Sequence, residues 1–224
     1  MKRLWQQNAV FISLSLALIV ALGLALLLMP KADLHLLLCD HHTPARDMFY
    51  RFYTQVAEWF PYVLCVALLL FSRIGNGVFA SSAMILSALT TQLFKHIVNA
   101  PRPLTWFGAH YPDIELPIAE GVRMNYWLSF PSGHTTSFFA LAFVASILLT
   151  RNPRCHRTTS YILQILLFVA AALGGYSRIY LSQHFALDVF AGVVVGTLIT
   201  LVCYVVFYRF KDQKWYNYRL FQKK

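Results

Sequence analysis

The chain has 224 residues, of which 58% are hydrophobic and only 12% charged, with a formal net charge of +10. Soluble domains carry about 25% charged residues and roughly 45–50% apolar ones. A disordered chain, a collagen and a disulfide-rich secreted module are ruled out, and an ordinary soluble enzyme is argued against. A mean hydropathy of +0.55 points the same way, to an integral membrane protein.

Six apolar runs approach the ~20 residues that a helix needs to cross a bilayer. In chain order they are Ala9–Met29, Tyr53–Phe71 (with Glu58 and Pro61 near its outer end), Val78–Lys95, Thr135–Thr150, Tyr161–Tyr176 and Phe185–Phe207. The first follows Lys2 and Arg3 like a signal peptide. It is longer than a usual signal core and no A-x-A site follows closely, so it reads as an uncleaved anchor. Spans four and five are short, and their ends are expected to be buried against protein rather than lipid. The fold class is therefore all-α: one polytopic bundle of six transmembrane helices over residues 1–224, with a basic cytoplasmic tail at 208–224. Pro30–Arg51 and Ala100–Pro131 are read as the two long outward segments, edged by aromatics such as Trp59, Trp106, Tyr126 and Trp127.

The net charge could suggest nucleic acid, but its placement argues otherwise. The N-terminus, the Ser72–Asn76 turn, the Arg151–Arg157 loop and the tail hold 12 of the 19 Lys and Arg residues and only one of the nine acidic ones. That alternation is the positive-inside signal, and it places both termini in the cytoplasm. A secondary contact of the tail with anionic inner-leaflet lipid is compatible with it. Cys39, Cys65, Cys155 and Cys203 form no CxxC and no metal spacing, so no chemistry is assigned to them.

Three polar clusters lie at the outward ends of these spans. In the first, Lys95 and Arg102-Pro103 stand seven residues apart. Two helical turns would put both cations on one face, and Pro101 and Pro103 end the helix so that Arg102 can turn back over it. Lysine supplies a point charge and arginine a bidentate fork for an oxyanion. Taken alone, the pair also fits snorkelling residues at a membrane boundary. The second cluster, Pro131-Ser132-Gly133-His134, opens span four. Serine caps a helix N-terminus, free N–H groups there suit an anion, and Gly133 lets the backbone approach a ligand closely. A histidine in that first turn can work as acid or base, although a capped helix with an incidental histidine looks the same. The third cluster is Ser177-Arg178, then His184 and Asp188. Spacing i, i+4 puts the last two on one helix face. A carboxylate on one imidazole nitrogen leaves the other basic. A purely structural His–Asp bond is the alternative. Together the clusters describe a phosphate cradle, a nucleophile and a general acid, with no grouping of Asp, Glu or His that suggests a metal.

Lys-x6-Arg-Pro, Pro-Ser-Gly-His and Ser-Arg-x5-His-x3-Asp resemble the three signature motifs of the type 2 phosphatidic acid phosphatase (PAP2) superfamily. All eleven specified positions match in order, from Lys95 to Asp188. The resemblance implies an all-helical, metal-independent phosphatase without a cofactor. It implies that His184 attacks phosphorus to form a phosphohistidine, that Asp188 orients it, and that His134 protonates the leaving oxygen. Lys95, Arg102, Arg178, Ser132 and Gly133 would hold the phosphate.

The expected function is thus a membrane lipid phosphatase acting on a phosphate or pyrophosphate headgroup at the outer face of the membrane. Its partners are the lipid substrate and the bilayer, with no nucleic acid. The short chain and the lack of an N-x-[ST] sequon point to a bacterial inner-membrane enzyme. Undecaprenyl pyrophosphate is the favoured substrate and lipid A phosphate the next, with phosphatidylglycerophosphate and phosphatidic acid as further alternatives. Transfer of the phosphoryl group to another lipid would use identical motifs. Vanadate-dependent haloperoxidases share the motifs but look soluble, which the six spans count against. A transporter or scaffold that keeps the site is the non-enzyme reading, and the retention of His184 and Asp188 counts against it.

Overall fold

The computed structural model of the chain describes residues 2–151 and 155–221. Of the charges counted above, Arg154, Lys223, Lys224 and the side chains of Lys2 and Arg3 lie outside the described residues. All regular elements among the described residues are helices: α1 (Lys2–Leu28), α2 (Lys31–Cys39), α3 (Pro44–Phe71), α4 (Ile74–Val98), α5 (Pro103–His110), α6 (Gly133–Thr150), α7 (Arg157–Tyr180), α8 (Ala186–Tyr208) and α9 (Lys214–Asn217). Six of them, α1, α3, α4, α6, α7 and α8, are long and apolar enough to cross a membrane. The protein is a multi-pass membrane protein.

Five of the six spans start earlier than the sequence expectation, and α3 owes its early start to capping. Thr43 accepts a hydrogen bond from the Arg46 amide and Pro44 occupies the first turn, so α3 begins nine residues before Tyr53. This removes part of the expected Pro30–Arg51 loop, and α2 removes most of the rest. Span five also proves long, with 24 residues in α7. Span four is short as expected, 18 residues, and is the most enclosed of the six. It sits at the centre, packed on α4, α7 and α8 and touched by α1 and α3. Phe139, Phe143 and Ile147 on α6 meet Phe11, Phe79 and Val193 in the main core.

Close approach fixes the α6–α8 pair. A Cβ on Gly196 would lie 2.6 Å from the Thr136 carbonyl, and one on Gly192 would lie 2.8 Å from the Ser132 carbonyl. Only glycine admits the two backbones this near. As a result the N-terminal ends of α6 and α8 stand side by side.

At the other end of the bundle α1 is bent at Asn8, whose φ/ψ of −120°/21° breaks the helix. The amide of Phe11 and the carbonyl of Gln7 would pair with each other in an unbroken helix. Instead both are taken by one α7 side chain: Phe11 N donates to Gln164 Oε1 (3.1 Å) and Gln164 Nε2 donates to the Gln7 carbonyl (3.0 Å). A side chain inserted into the ladder is a recognised cause of a kink. Gln164→Leu would strand two backbone groups in an apolar interior. It should lower stability by on the order of 2 kcal/mol, read as a clear drop in the thermal midpoint of the detergent-purified protein. An unchanged midpoint would refute this account of the bend.

Candidate active site

All three sequence clusters meet at one end of the bundle, where α4 and α7 finish and α6 and α8 begin. Asp188 lies in the first turn of α8. It is almost wholly buried, 4% exposed. Its Oδ2 accepts from the Ser129 hydroxyl (2.6 Å) and from the Phe185 amide (2.9 Å), and it stands 3.4 Å from His184 Nδ1. The Phe185 bond makes Asp188 the reciprocal cap of its own helix. His184 itself precedes α8 rather than sharing a helical face with Asp188. The capping geometry, not helix periodicity, brings the two together. His184 is pinned through its amide to the Arg178 carbonyl (3.1 Å). Burial, helped by Arg102 and Arg178 and opposed by Asp188, pushes the His184 imidazole down to about 3. It is therefore neutral at ordinary pH. With Nδ1 turned to Asp188 and Ser129, Nε2 is the nitrogen left to act.

Ser132 caps α6: its hydroxyl accepts from the Thr135 amide (3.4 Å) and hydroxyl (2.8 Å). Its own amide donates to the Asp188 carbonyl (2.9 Å), so the two helix starts are tied directly. A Cβ on Gly133 would meet only Thr91 Cγ2 at 3.6 Å, so no protein group demands glycine there. The exposed edge of the backbone is what glycine keeps open. His134 bonds Glu58 on α3 through Nε2 (3.0 Å).

The cations reach the same place from different elements. Lys95 is in the last turn of α4. Arg102 is not on that helix, as the seven-residue spacing suggested. Asn99 closes α4 in a left-handed conformation (φ 42°), and Arg102 then caps α5. It still turns back: Arg102 Nη1 donates to the carbonyl (3.2 Å) and side-chain oxygen (3.1 Å) of Gln183, next to His184. Arg102 Nε donates to the Trp127 carbonyl (3.0 Å), and Lys95 Nζ to the Leu128 carbonyl. Arg178 Nη1 donates to Thr54 Oγ1 (2.8 Å), while its buried Nε has no partner among the described residues. A buried guanidinium edge left unpaired fits an anion placed there. Lys95, Arg102, Arg178 and His184 all lie near enough to His134 to act on it electrostatically. Ser177 does not join them; its hydroxyl donates back to the Gly174 carbonyl (2.7 Å).

Sequence reasoning missed Ser129, Gln183 and the pairing of Glu58. Ser129 sits 59 residues from the carboxylate it bonds. No spacing rule reaches across that gap. Glu58 was visible as an acid inside an apolar span, which is a signal of function by itself.

Beside the site, α3 and α4 leave an apolar groove of about 320 Å³, lined by Ala57, Pro61, Cys65, Met84, Ala88 and Ser137. Ala57 adjoins Glu58, and Ser137 lies one turn from His134.

The PAP2 superfamily model matches residues 76–212. The chain belongs to the PAP2 superfamily. Lipid A 4′-phosphatase of Porphyromonas gingivalis is 29% identical over 196 residues, covering 83% of this chain and 75% of that protein. Undecaprenyl-diphosphatase BcrC of Bacillus subtilis is 27% identical, with 77% and 79% covered. Lipid phosphate phosphatase 1 of Arabidopsis thaliana is 34% identical over 62% of this chain, which spans only 47% of that protein's length. Among solved structures, Aquifex aeolicus LpxE superposes with a TM-score of 0.58 at 26% identity, covering 77% of this chain and 93% of that one.

The α2 residue His35 packs between Phe185 (5.0 Å) and Phe107 (5.6 Å), with neither ring nitrogen hydrogen-bonded among the described residues. Burial, with Lys31 assisting against Asp188, holds it down to about 4. The unfolded chain protonates this histidine near 6.5. Its burial as a neutral ring therefore favours folding above that pH, and the advantage drains away as pH falls toward 4. His35→Leu should flatten the loss of thermal stability between pH 6.5 and pH 4. A variant with the same acid slope as wild type would show that His35 is not the group responsible.

Proposed function

We propose that the protein is a lipid phosphate or diphosphate phosphatase that works through a phosphohistidine. The observation that carries this is the neutral, Asp188-backed His184 set among Lys95, Arg102 and Arg178 at the capped start of α6. Neutral Nε2 of His184 attacks phosphorus. The bond from phosphorus to the leaving oxygen breaks, and His134, oriented by Glu58, gives that oxygen its proton. Water then attacks the phosphohistidine, His134 takes up a proton, and inorganic phosphate leaves with His184 restored. The cations, the Ser132–Gly133 backbone and the α6 N-terminus stabilise the charge on the three phosphoryl oxygens.

The α3–α4 groove opens from the apolar face of the bundle beside the site, which supports a substrate with a hydrocarbon tail. The relatives named above carry that support to two headgroups. Undecaprenyl pyrophosphate remains the first substrate to test. Lipid A phosphate is the second reading, favoured by the extended match to the lipid A 4′-phosphatase. Hydrolysis is favoured over transfer to a second lipid only as the simpler reaction of the same intermediate. The test is phosphate release by purified protein from a panel of both lipids, phosphatidylglycerophosphate and phosphatidic acid. His184→Ala should abolish release and any acid-labile phosphoenzyme. Asp188→Asn should cost about 10⁴-fold, as for other orienting carboxylates. EDTA should leave the rate unchanged. Near-normal turnover by His184→Ala would overturn the mechanism.

We also place the site outside, at the bacterial inner membrane, with both termini cytoplasmic. The support is the charge asymmetry between the two ends of the bundle. In a protein lacking Cys39, Cys65 and Cys203, native Cys155 should react with an impermeant maleimide only after lysis. A cysteine placed at Ala109 in a chain also lacking Cys155 should react in intact spheroplasts. The reverse pattern would put the site on the cytosolic leaflet.

A further inference from the structure

The end of the bundle away from His184 carries a second polar cavity, of about 390 Å³, that the proposed reaction does not use. Four separate segments line it: Gln7 from α1, Arg73 from the α3–α4 turn, Arg151 after α6, and Lys211 with Asp212 and Asn217 after α8. Three cations thus face one cavity with a single carboxylate among them. We propose that this cavity is a binding site for the phosphate of an anionic phospholipid, in the leaflet opposite the catalytic cluster.

The cations are held in place but not consumed. Arg73 Nη1 donates to Asn217 Oδ1 (3.0 Å) and Arg151 Nη1 to the Tyr216 hydroxyl (3.0 Å). These are the hydrogen bonds each guanidinium makes among the described residues, and a guanidinium has five N–H donors. Arg151 also lies over the rings of Tyr208 (5.4 Å) and Tyr216 (6.0 Å), and Lys211 Nζ over Tyr208 (4.6 Å). Such flanking fixes the direction of a cation while leaving its remaining donors for an oxyanion.

The wall of the cavity is built by a specific fold-back rather than by a loose tail. Tyr216 is buried, and its ring rests where a Cβ on Gly75 would be, 2.3 Å away. The Ile74 amide donates to the Tyr218 carbonyl (2.9 Å), sewing the segment after α8 to the start of α4. The described part of the segment read as a basic tail thus closes a pocket.

The surroundings choose a lipid over a soluble anion. Phe71 (75% exposed), Phe221 (69%), Tyr218, Trp215 and Phe210 stand exposed at this same end, and Phe71 stacks on Phe221 at 6.0 Å. Exposed aromatic rings at the end of a span mark the membrane–water interface. The cavity therefore lies at the depth of the lipid phosphates, and arginines and lysines there attract anionic headgroups.

The test is native mass spectrometry of the full chain released from nanodiscs of phosphatidylcholine alone or mixed with phosphatidylglycerol. Wild type should retain phosphatidylglycerol in preference to phosphatidylcholine. Arg73→Gln with Lys211→Gln should weaken that retention roughly 5- to 30-fold, at about 1 kcal/mol per cation. The control Lys214→Gln with Arg219→Gln removes the same charge from the same end but not from the cavity, and should weaken it much less. Thermal midpoints report folding. If the double variant does not fold, Lys211→Gln alone, whose side chain contacts Tyr208, replaces it and should still weaken retention about fivefold. Equal losses in cavity and control variants would overturn the site in favour of diffuse attraction. Equal retention of the two lipids would also overturn it. So would protection of the protein by inorganic phosphate in phosphatidylcholine alone to the same extent as by phosphatidylglycerol.

Discussion

Asp188 is a carboxylate in the first turn of an otherwise apolar membrane helix, and the environment must satisfy it. A buried charge without partners costs several kcal/mol, so its donors are a condition of folding as well as of chemistry. One oxygen collects the Ser129 hydroxyl, the Phe185 amide and the His184 ring. The backbone carbonyl of the same residue takes the Ser132 amide. A single residue thereby joins the start of α8, the approach to α6, the α6 cap and His184. The glycines at 192 and 196 allow that union, because the helix starts could not approach so closely with side chains between them.

The second constraint is mutual repulsion. Lys95, Arg102 and Arg178 bear like charge and share one small region, which is costly in the absence of an anion. Part of the compensation is backbone. The carbonyls of Tyr126, Trp127 and Leu128 accept in turn from the Arg102 amide, Arg102 Nε and Lys95 Nζ. Leu128 adopts φ 59° to do so, a left-handed conformation that costs a non-glycine residue of order 1 kcal/mol or more. Segment 126–129 is therefore a strained splint. It aims two cations with its carbonyls and, through Ser129, holds the carboxylate beside His184.

This explains what the sequence made legible. The motif positions that meet at the site depend on residue type, so Lys95, Arg102, Ser132, Gly133, His134, Arg178, His184 and Asp188 could be picked out by identity and spacing. The six spans were legible because hydropathy is additive along a helix. The splint was not, because its work is done by carbonyls that every residue has. Tyr126 and Trp127 read as interfacial aromatics, which describes their rings and says nothing of their backbone. Helices α2, α5 and α9 were missed because each is 9 residues or fewer. Isolated helices that short are unstable in water, and packing rather than local pattern holds them. The α2 helix, for example, is secured by Lys31 over Phe185 (3.8 Å) and by His35 against the same ring.

The same layout separates two demands that a lipid substrate makes at once. Its phosphate needs fixed cations and a dry, preorganised pocket. Its tail needs a path that never leaves an apolar environment. The ends of α4 and α7, the cap of α5 and the starts of α6 and α8 meet the first demand, with the last two tied by Asp188. The second falls to α3 and α4, whose groove reaches Ser137 of α6. Glu58 stands where the two meet, beside Ala57 of the groove and bonded to His134 of the cradle. A carboxylate at that depth is tolerable only because the histidine and the nearby Arg178 partner it. Cradle and groove thus share helices: Glu58 and Ala57 lie on α3, Lys95 and Met84 on α4, and His134 and Ser137 on α6. The groove side chains Ala57, Cys65, Met84 and Ala88 make none of the hydrogen bonds described for the cradle.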